Sequence, residues 1–242
     1  MKLVLIILAT STFQICNSQE LDIFQNDSIY SKNRIAVRRM YSINGPTLQK
    51  EIVTYYNPSG QKVKQFWYWN GDKDFHNVET FQYSKDGAIS RLVDSFADGN
   101  IQTTNYFYEN NTLIGQVTTD QNNDTCDFRT YPNKTTTIQR WYMNGKPYRY
   151  DTTVFERENV KLEYYGIDCS DNIGKGDSWH YKFSNDFDSH GNLLKVSSKV
   201  EKPYTSFTRY VYDKRNLLIK KQEIFYIKKR ETIRTEYHFT YE

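Results

Sequence analysis

The sequence is poor in the residues that most often carry chemistry. It has only three cysteines and four histidines in 242 residues. The histidines His76, His180, His190 and His238 do not stand at the spacing of metal ligands, and no cysteine pair accompanies them. No G-x-S-x-G elbow, H-E-x-x-H motif or glycine-rich phosphate loop occurs either. We therefore expect no metal, no cofactor and no catalytic residue, and hence a protein that is not an enzyme.

The sequence also lacks long apolar runs. A basic start followed by the apolar residues 3–9 has the layout of an export signal, and it is too short to span a bilayer. Cleavage after Ser18 would remove a signal peptide of residues 1–18. Lipid attachment through Cys16 is the alternative. No transmembrane helix is expected in the remaining chain, and the protein is predicted to be periplasmic, cell-surface or secreted.

Export would leave two cysteines, Cys126 and Cys169. In an oxidising compartment these residues are candidates for one disulfide, with two free thiols as the alternative. Neither is expected to have a catalytic role.

Charge of either sign is not in large excess, since 32 basic residues stand against 29 acidic ones. The basic residues are concentrated between Lys195 and Arg234. Such a segment can face an anionic surface, but lysines also protect exposed strands from edge-to-edge pairing, and we favour the second interpretation. We expect no nucleic-acid partner.

Aromatic residues are abundant, with 21 tyrosines and 14 phenylalanines, and aromatic rings favour strands. They recur in similar phrases, of which "YVYDKRNLLI" at 210–219 and "TYYNPSGQKV" at 54–63 are two. The period is near 25 residues, which is room for two strands and two turns. The marker aromatics of the successive copies are Tyr56, Tyr83, Tyr108, Tyr131, Phe155, Phe187, Tyr212 and Tyr241.

Each phrase predicts a β-hairpin. Tyr-x-Tyr places two rings on one face of a strand, four turn-prone residues follow, and Leu-x-Ile is expected to resume that face. Between the phrases lie return turns of the Asn-Gly type. The predicted fold is all-β, with tandem antiparallel hairpins in one elongated or curled repeat sheet of about 14 to 18 strands. A single domain would cover 19–242, with regular repeats from about residue 34, and a closed barrel is the competing architecture.

Three phrases resemble known repeat families. Tyr210 to Leu218 resembles the tyrosine-aspartate repeat of the RHS proteins, with Asn216 where that pattern usually has glycine. Trp141 to Lys146 looks like the bacterial variant of the MORN repeat, as does Tyr68 to Gly71. The resemblance implies a β-hairpin scaffold used as surface, shell or interaction strip, and it carries over no catalytic residue.

The strongest candidate for ligand binding is the stretch Gln65 to Trp69. Alternation sends Phe66 and Tyr68 to one face and Trp67 and Trp69 to the other. Two tryptophans on an accessible face can stack on sugar rings or contact a partner. The alternative is a central strand that is covered on both faces.

These features predict an exported, non-enzymatic β-repeat protein that acts as a binding or interaction module at the cell surface or in the periplasm. Its partner, a protein or a glycan, is not specified by the sequence. Two alternatives stay open. One is an immunity-type or structural protein that binds one protein partner, and the other is a carbohydrate-active enzyme whose site is not recognisable.

Overall fold

The computed structural model describes residues 27–44, 47–69, 71–133, 136–143, 145–156, 161–168, 178–190, 192–199, 206–227 and 230–242. The predicted signal peptide and Cys16 lie outside these residues. No helix of the described chain is long and apolar enough to cross a membrane. The elements are helix α1 (Asp27–Lys32) and strands β1 (Val37–Asn44), β2 (Thr47–Tyr56), β3 (Lys62–Trp69), β4 (Asn77–Tyr83), β5 (Ile89–Phe96), β6 (Ile101–Glu109), β7 (Thr112–Asp120), β8 (Thr125–Asn133), β9 (Thr136–Met143), β10 (Lys146–Glu156), β11 (Lys161–Asp168), β12 (Ser178–Phe187), β13 (Leu193–Lys199), β14 (Ser206–Tyr212), β15 (Leu218–Ile227) and β16 (Arg230–Tyr241).

All sixteen strands belong to one antiparallel sheet. Each strand pairs with the next along the chain, and β1 pairs with β16, from Arg38 opposite Tyr241 to Ile43 opposite Glu236. The sheet therefore closes into a barrel. The prediction of an all-β fold of tandem antiparallel hairpins in one curled sheet is confirmed, and closure is the alternative that the sequence left open.

The marker aromatics sit at a constant place in this sheet. Each of the eight lies at or near the end of an even-numbered strand, and all except Tyr241, at the end of the last strand, precede the turn that leads into the next strand. We call these turns the repeat turns, and those that follow the odd-numbered strands the return turns. All repeat turns therefore lie at one end of the barrel, and all return turns at the other.

Side chains that accept hydrogen bonds shape the repeat turns. In the β2–β3 turn, Asn57 Oδ1 accepts hydrogen bonds from the amides of Ser59 and Gln61, both at 3.0 Å. Asp213 Oδ1 holds the β14–β15 turn in the same way, and Asp188 Oδ1 holds the β12–β13 turn. The predicted positive φ angles are confirmed at Gly60, Gly87 and Asn216, whereas Gly191 lies outside the described residues.

A β-bulge follows the repeat turn in most hairpins and corrects one expectation. In the β14–β15 hairpin, Val211 pairs with Lys220 and Tyr212 pairs with Leu218, so Ile219 is an extra residue. Leu217 and Leu218 are buried, whereas Ile219 is exposed. The prediction that Leu-x-Ile resumes the tyrosine face was therefore wrong, because the bulge turns the isoleucine outward. Val63, Ile114 and Leu194 are the corresponding exposed residues of other hairpins.

The two faces of the barrel differ in burial. The register places Arg38, Thr54, Gln65 and Asn77 on the same face of four successive strands. Every buried polar residue of the described chain lies on this face. A closed sheet shields its concave side from water, so this is the inner face. The outer face carries ion pairs, among them Arg39 with Glu51 at 3.4 Å.

The apolar core fills one side of the barrel. It is formed by inward-facing residues of the last strands, against which Met40 of β1 packs. Burial of these rings and aliphatic chains supplies the main driving force for closing β1 against β16. The buried members of this cluster are Leu193, Val196, Tyr210, Leu218, Tyr237 and Phe239.

Helix α1 covers the inner face at the repeat-turn end, and the sequence did not predict it. The ring of Tyr30 stacks on that of Tyr56 with the centroids 4.4 Å apart, and Arg38 donates a hydrogen bond to the Tyr30 hydroxyl. The helix ends in a Schellman motif, since Ile35 donates its amide hydrogen to the Tyr30 carbonyl and Arg34 has a positive φ of 54°.

Candidate ligand-binding site on the inner face

The two tryptophans singled out by the sequence lie on the inner face of β3, close to the return-turn end. Trp67 pairs with Ile52 and Trp69 pairs with Lys50, both on the inner face of β2. The predicted alternation is therefore realised, with Phe66 and Tyr68 on the outer face. Trp67 is half-buried, whereas 42% of Trp69 is exposed. Trp69 thus presents an accessible indole to the interior of the barrel.

Lys50 joins the two indoles into one site, which we call the Lys50 site (Lys50, Trp67 and Trp69). Its Nζ lies 3.8 Å from the ring centroid of Trp67 and 5.0 Å from that of Trp69. Contacts of this kind stabilise the ammonium through the negative face of the ring. Burial acts in the opposite direction and lowers the pKa of Lys50 to about 8, although Glu79 favours the charged form. Lys50 is therefore a hydrogen-bond donor held at a fixed point beside an exposed ring.

The indole nitrogen of Trp67 is unusual in its surroundings. Nε1 is buried, and no hydrogen-bond partner for it is found among the described residues. Tryptophan N–H groups usually find a partner when they are buried. The other indole makes an edge contact, since the rings of Trp69 and His76 lie at 81° with centroids 5.8 Å apart. His76 therefore fixes the orientation of the exposed ring.

A row of polar side chains runs across the inner face beside the Lys50 site. The register brings these residues opposite one another on six successive strands. Two contacts within the row are direct, since Thr54 donates a hydrogen bond to Gln65 at 2.9 Å and Gln65 donates one to Glu79 at 2.7 Å. We call this set the polar row; its members are Thr54, Gln65, Glu79, Asp94, Gln102 and Asp120.

The carboxylates of this wall are partly desolvated. Burial raises the pKa of Asp94, while the hydrogen bond that Asn77 donates to it at 2.8 Å and the nearby His76 act against that rise. Glu79 accepts the Gln65 amide. Amides and carboxylates thus lie close together along the wall, with Gln65 opposite Glu79 and Asp94 opposite Gln102, so donors and acceptors stand side by side.

The remaining predicted residues have other roles or lie outside the described chain. The Cys126 sulfur lies 3.6 Å from the carbonyl oxygen of Asp124, and burial raises the pKa of its thiol. It is not bonded to any cysteine of the described residues. Cys169 lies outside the described chain, so the disulfide stays a prediction. Asp188, near the histidine His190, accepts the turn hydrogen bonds given above.

Sequence reasoning found the tryptophans but missed Lys50, Glu79 and Asp94. These residues stand on different strands, and nothing in their local sequence distinguishes them from solvated charges. Only the register of β2, β3, β4 and β5 shows that they share a face with Trp67 and Trp69.

No protein-family model matches the chain, and no curated protein sequence matches it. The structure is similar to that of a porin-like protein from Bacteroides uniformis, with 12% identity and a TM-score of 0.54 over 86% of this chain and 98% of that chain. It also matches the Photorhabdus luminescens Tc holotoxin pore, with 12% identity and a TM-score of 0.21 over 77% of this chain and 12% of that chain. The first similarity supports the all-β fold, and the second is too weak to support a conclusion.

Proposed function

We propose that this protein is an exported, non-enzymatic binding module whose inner face holds a carbohydrate at the return-turn end of the barrel. The observation that carries the proposal is the exposed indole of Trp69, held beside the Lys50 ammonium and the polar row on a concave wall. Sites for small ligands combine aromatic surface with a few well-placed polar groups in this manner.

The chemistry of the wall fits a sugar. A pyranose ring offers one apolar face, which can stack on the Trp69 indole, and a rim of hydroxyl groups. Each hydroxyl is both donor and acceptor, so it matches the amide of Gln65 and the carboxylates of Glu79 and Asp94. The Lys50 Nζ adds a charged donor at the edge of the ring.

The same wall disfavours polyanions. Glu79 and Asp94 lie on it, and burial already disfavours the charged form of Asp94. A phosphate backbone brought against these carboxylates would meet like charge in a poorly solvated place. A neutral glycan is therefore the ligand class that we propose.

The repeat scaffold and the predicted export signal fit this role. A sheet of tandem hairpins resembling the RHS and MORN types would serve here as the wall of a binding cup. We propose that the protein acts outside the cytoplasm, where glycans are presented, and we assign no bond-breaking role to its acidic residues.

Binding can be tested by titration calorimetry with a set of defined oligosaccharides, namely the hexasaccharides of cellulose, xylan, chitin and amylose. We expect at least one to bind, and we expect Trp69→Ala to weaken that binding roughly tenfold, since an aromatic contact contributes about 0.5–1.5 kcal/mol beyond its buried area.

The matched control is Phe107→Ala. Phe107 is 47% exposed, comparable with Trp69, but lies on the outer face of β6. It should leave binding unchanged. Equal losses of affinity in the two variants, or hydrolysis of the sugar by the purified protein, would contradict the proposal. An unchanged melting temperature for Trp69→Ala would show that the indole is not part of the core.

A further inference from the structure

The geometry points to a second carbohydrate subsite on the inner face of β8, β9 and β10, so that the ligand is a linear chain long enough to span two aromatic positions. This inference rests on the proposed function and adds to it the length of the ligand. We call the second position the Arg149 site; it consists of Trp141, Arg149, Asp127 and Gln139.

The Arg149 site resembles the Lys50 site taken together with the neighbouring polar row. The guanidinium carbon of Arg149 lies 4.6 Å from the ring centroid of Trp141, as a cation covers the indole in the first site. An amide–carboxylate pair stands beside it, since Gln139 donates a hydrogen bond to Asp127 at 3.0 Å. Burial raises the pKa of Asp127, as it does for Asp94 of the polar row. Both positions thus combine an indole beside a cation with a hydrogen-bonded amide–carboxylate pair, although Trp141 is half-buried where Trp69 is exposed.

The register places the Arg149 site on the inner face. Asp127 pairs with Trp141, and Trp141 pairs with Arg149, so their side chains share a face. The same face continues through Thr118 to Thr104, a buried residue of the inner wall. Among the described residues, the inner face therefore continues from β3 to β10.

Both sites lie at the same end of the barrel. Trp69 is the last residue of β3, and Trp141 stands two residues before the end of β9. Odd-numbered strands end at the return turns, so both indoles are close to that rim. Helix α1 covers the inner face at the other end. One ligand entering at the return-turn rim can therefore meet both indoles.

The distance between the sites sets the length of the ligand. Six strand spacings separate β3 from β9, which is about 29 Å measured perpendicular to the strands at ~4.8 Å per strand, so the path along the wall between the two indoles is at least that long. The polar row and the hydrogen-bonded pair Thr104 and Thr118 occupy the wall between them. Hydroxyl-binding groups therefore continue from one indole to the other, which suits a linear oligosaccharide better than a compact sugar.

Fluorine NMR on the full chain labelled with 5-fluorotryptophan tests the inference without removing either indole. The four tryptophans give four signals, which single tryptophan-to-phenylalanine variants assign. The probes are the di-, tetra-, hexa- and octasaccharides of the cellulose, xylan, chitin and amylose series. We expect short members of the series that binds to shift the Trp69 signal alone, and long members to shift the signals of Trp69 and Trp141 together.

Affinity gives the second readout. When two linked contacts are engaged, the long chain should bind tighter than the short one by roughly tenfold or more. Trp141→Phe should remove most of that gain and leave the short chain unaffected, while Trp69→Phe should weaken both. Phe107→Ala again serves as the control.

The outcomes separate the two proposals. Shifts of Trp69 without Trp141 at every chain length, or no gain in affinity with length, overturn the second subsite and leave the proposed function in place. If no member of the four series shifts any signal, both proposals fail.

Discussion

The side-chain acceptor in the repeat turn offers the sharpest test of how the hairpins form. Asp213 Oδ1 accepts hydrogen bonds from the amides of Arg215 at 2.8 Å and Leu217 at 3.0 Å. Leu217 is fully buried, so its amide has no access to water once the carboxylate is removed, whereas Arg215 is exposed. An unsatisfied buried donor costs about 1–3 kcal/mol. We therefore expect Asp213→Ala to lower the free energy of unfolding by ~2 kcal/mol.

The matched control is Asp213→Asn. The β2–β3 turn already uses Asn57 in the same position, with the same pair of amides on its Oδ1. The amide variant should keep both hydrogen bonds and lose only the ion pair with Arg215, whose atoms are 2.9 Å apart at the surface. A surface pair of this kind is worth about 0–1 kcal/mol.

Equilibrium unfolding in guanidinium, followed by circular dichroism, measures the difference. A loss of ~2 kcal/mol corresponds to a fall of about 4–8 °C in melting temperature for a chain of this size. If Asp213→Ala and Asp213→Asn lower the free energy of unfolding by the same amount, the side-chain oxygen acceptor does not stabilise the turn. If neither loses stability, the register of β14 and β15 alone sets the turn, and the reasoning is refuted.

Two further predictions concern the core and the Lys50 site. Leu218→Ala should lower the free energy of unfolding by about 2–5 kcal/mol because Leu218 is buried. Ile219→Ala should change it by less than about 1 kcal/mol because the bulge exposes that residue. Equal losses for the two variants in guanidinium unfolding would show that the bulge is absent. Burial lowers the pKa of Lys50 to about 8 from 10.5. Below about pH 8 Lys50 is protonated in both the folded and the unfolded chain, so the full cost of burying the ammonium destabilises the fold. Between about pH 8 and 10.5 Lys50 loses its proton in the folded chain first, and the free energy of unfolding therefore rises with pH. The stability advantage of Lys50→Met over the natural chain should therefore be larger at pH 7 than at pH 10, and unfolding curves that differ by the same amount at both pH values would contradict this reading.

The local pattern was sufficient to predict the hairpins. Tyr-x-Tyr followed by turn residues occurs near the observed ends of even-numbered strands, and the positive φ angles of Gly60, Gly87 and Asn216 follow from residue type alone. These features depend on contacts within a few residues. Helix α1 was missed because six residues carry too little periodicity to be recognised, and it is held by tertiary contacts of Tyr30.

The candidate site was only half predictable. Alternation placed Trp67 and Trp69 on one face, since the side-chain period of a strand is two. Lys50 and Glu79 joined them only through pairing with neighbouring strands, which local sequence does not encode. Which face is concave also depends on the whole sheet.

The sequence by itself determined the strand-rich fold, the number and order of hairpins within a narrow range, and the shared face of the two tryptophans. The tertiary structure decided that β1 meets β16, that the bulges turn Ile219 and its equivalents outward, and that cations cover the indoles of Trp67 and Trp141. The physical reason is the range of the interactions. Turn conformation and side-chain alternation are set by neighbours in sequence, whereas closure and the grouping of charges beside rings depend on register between strands that are distant in sequence.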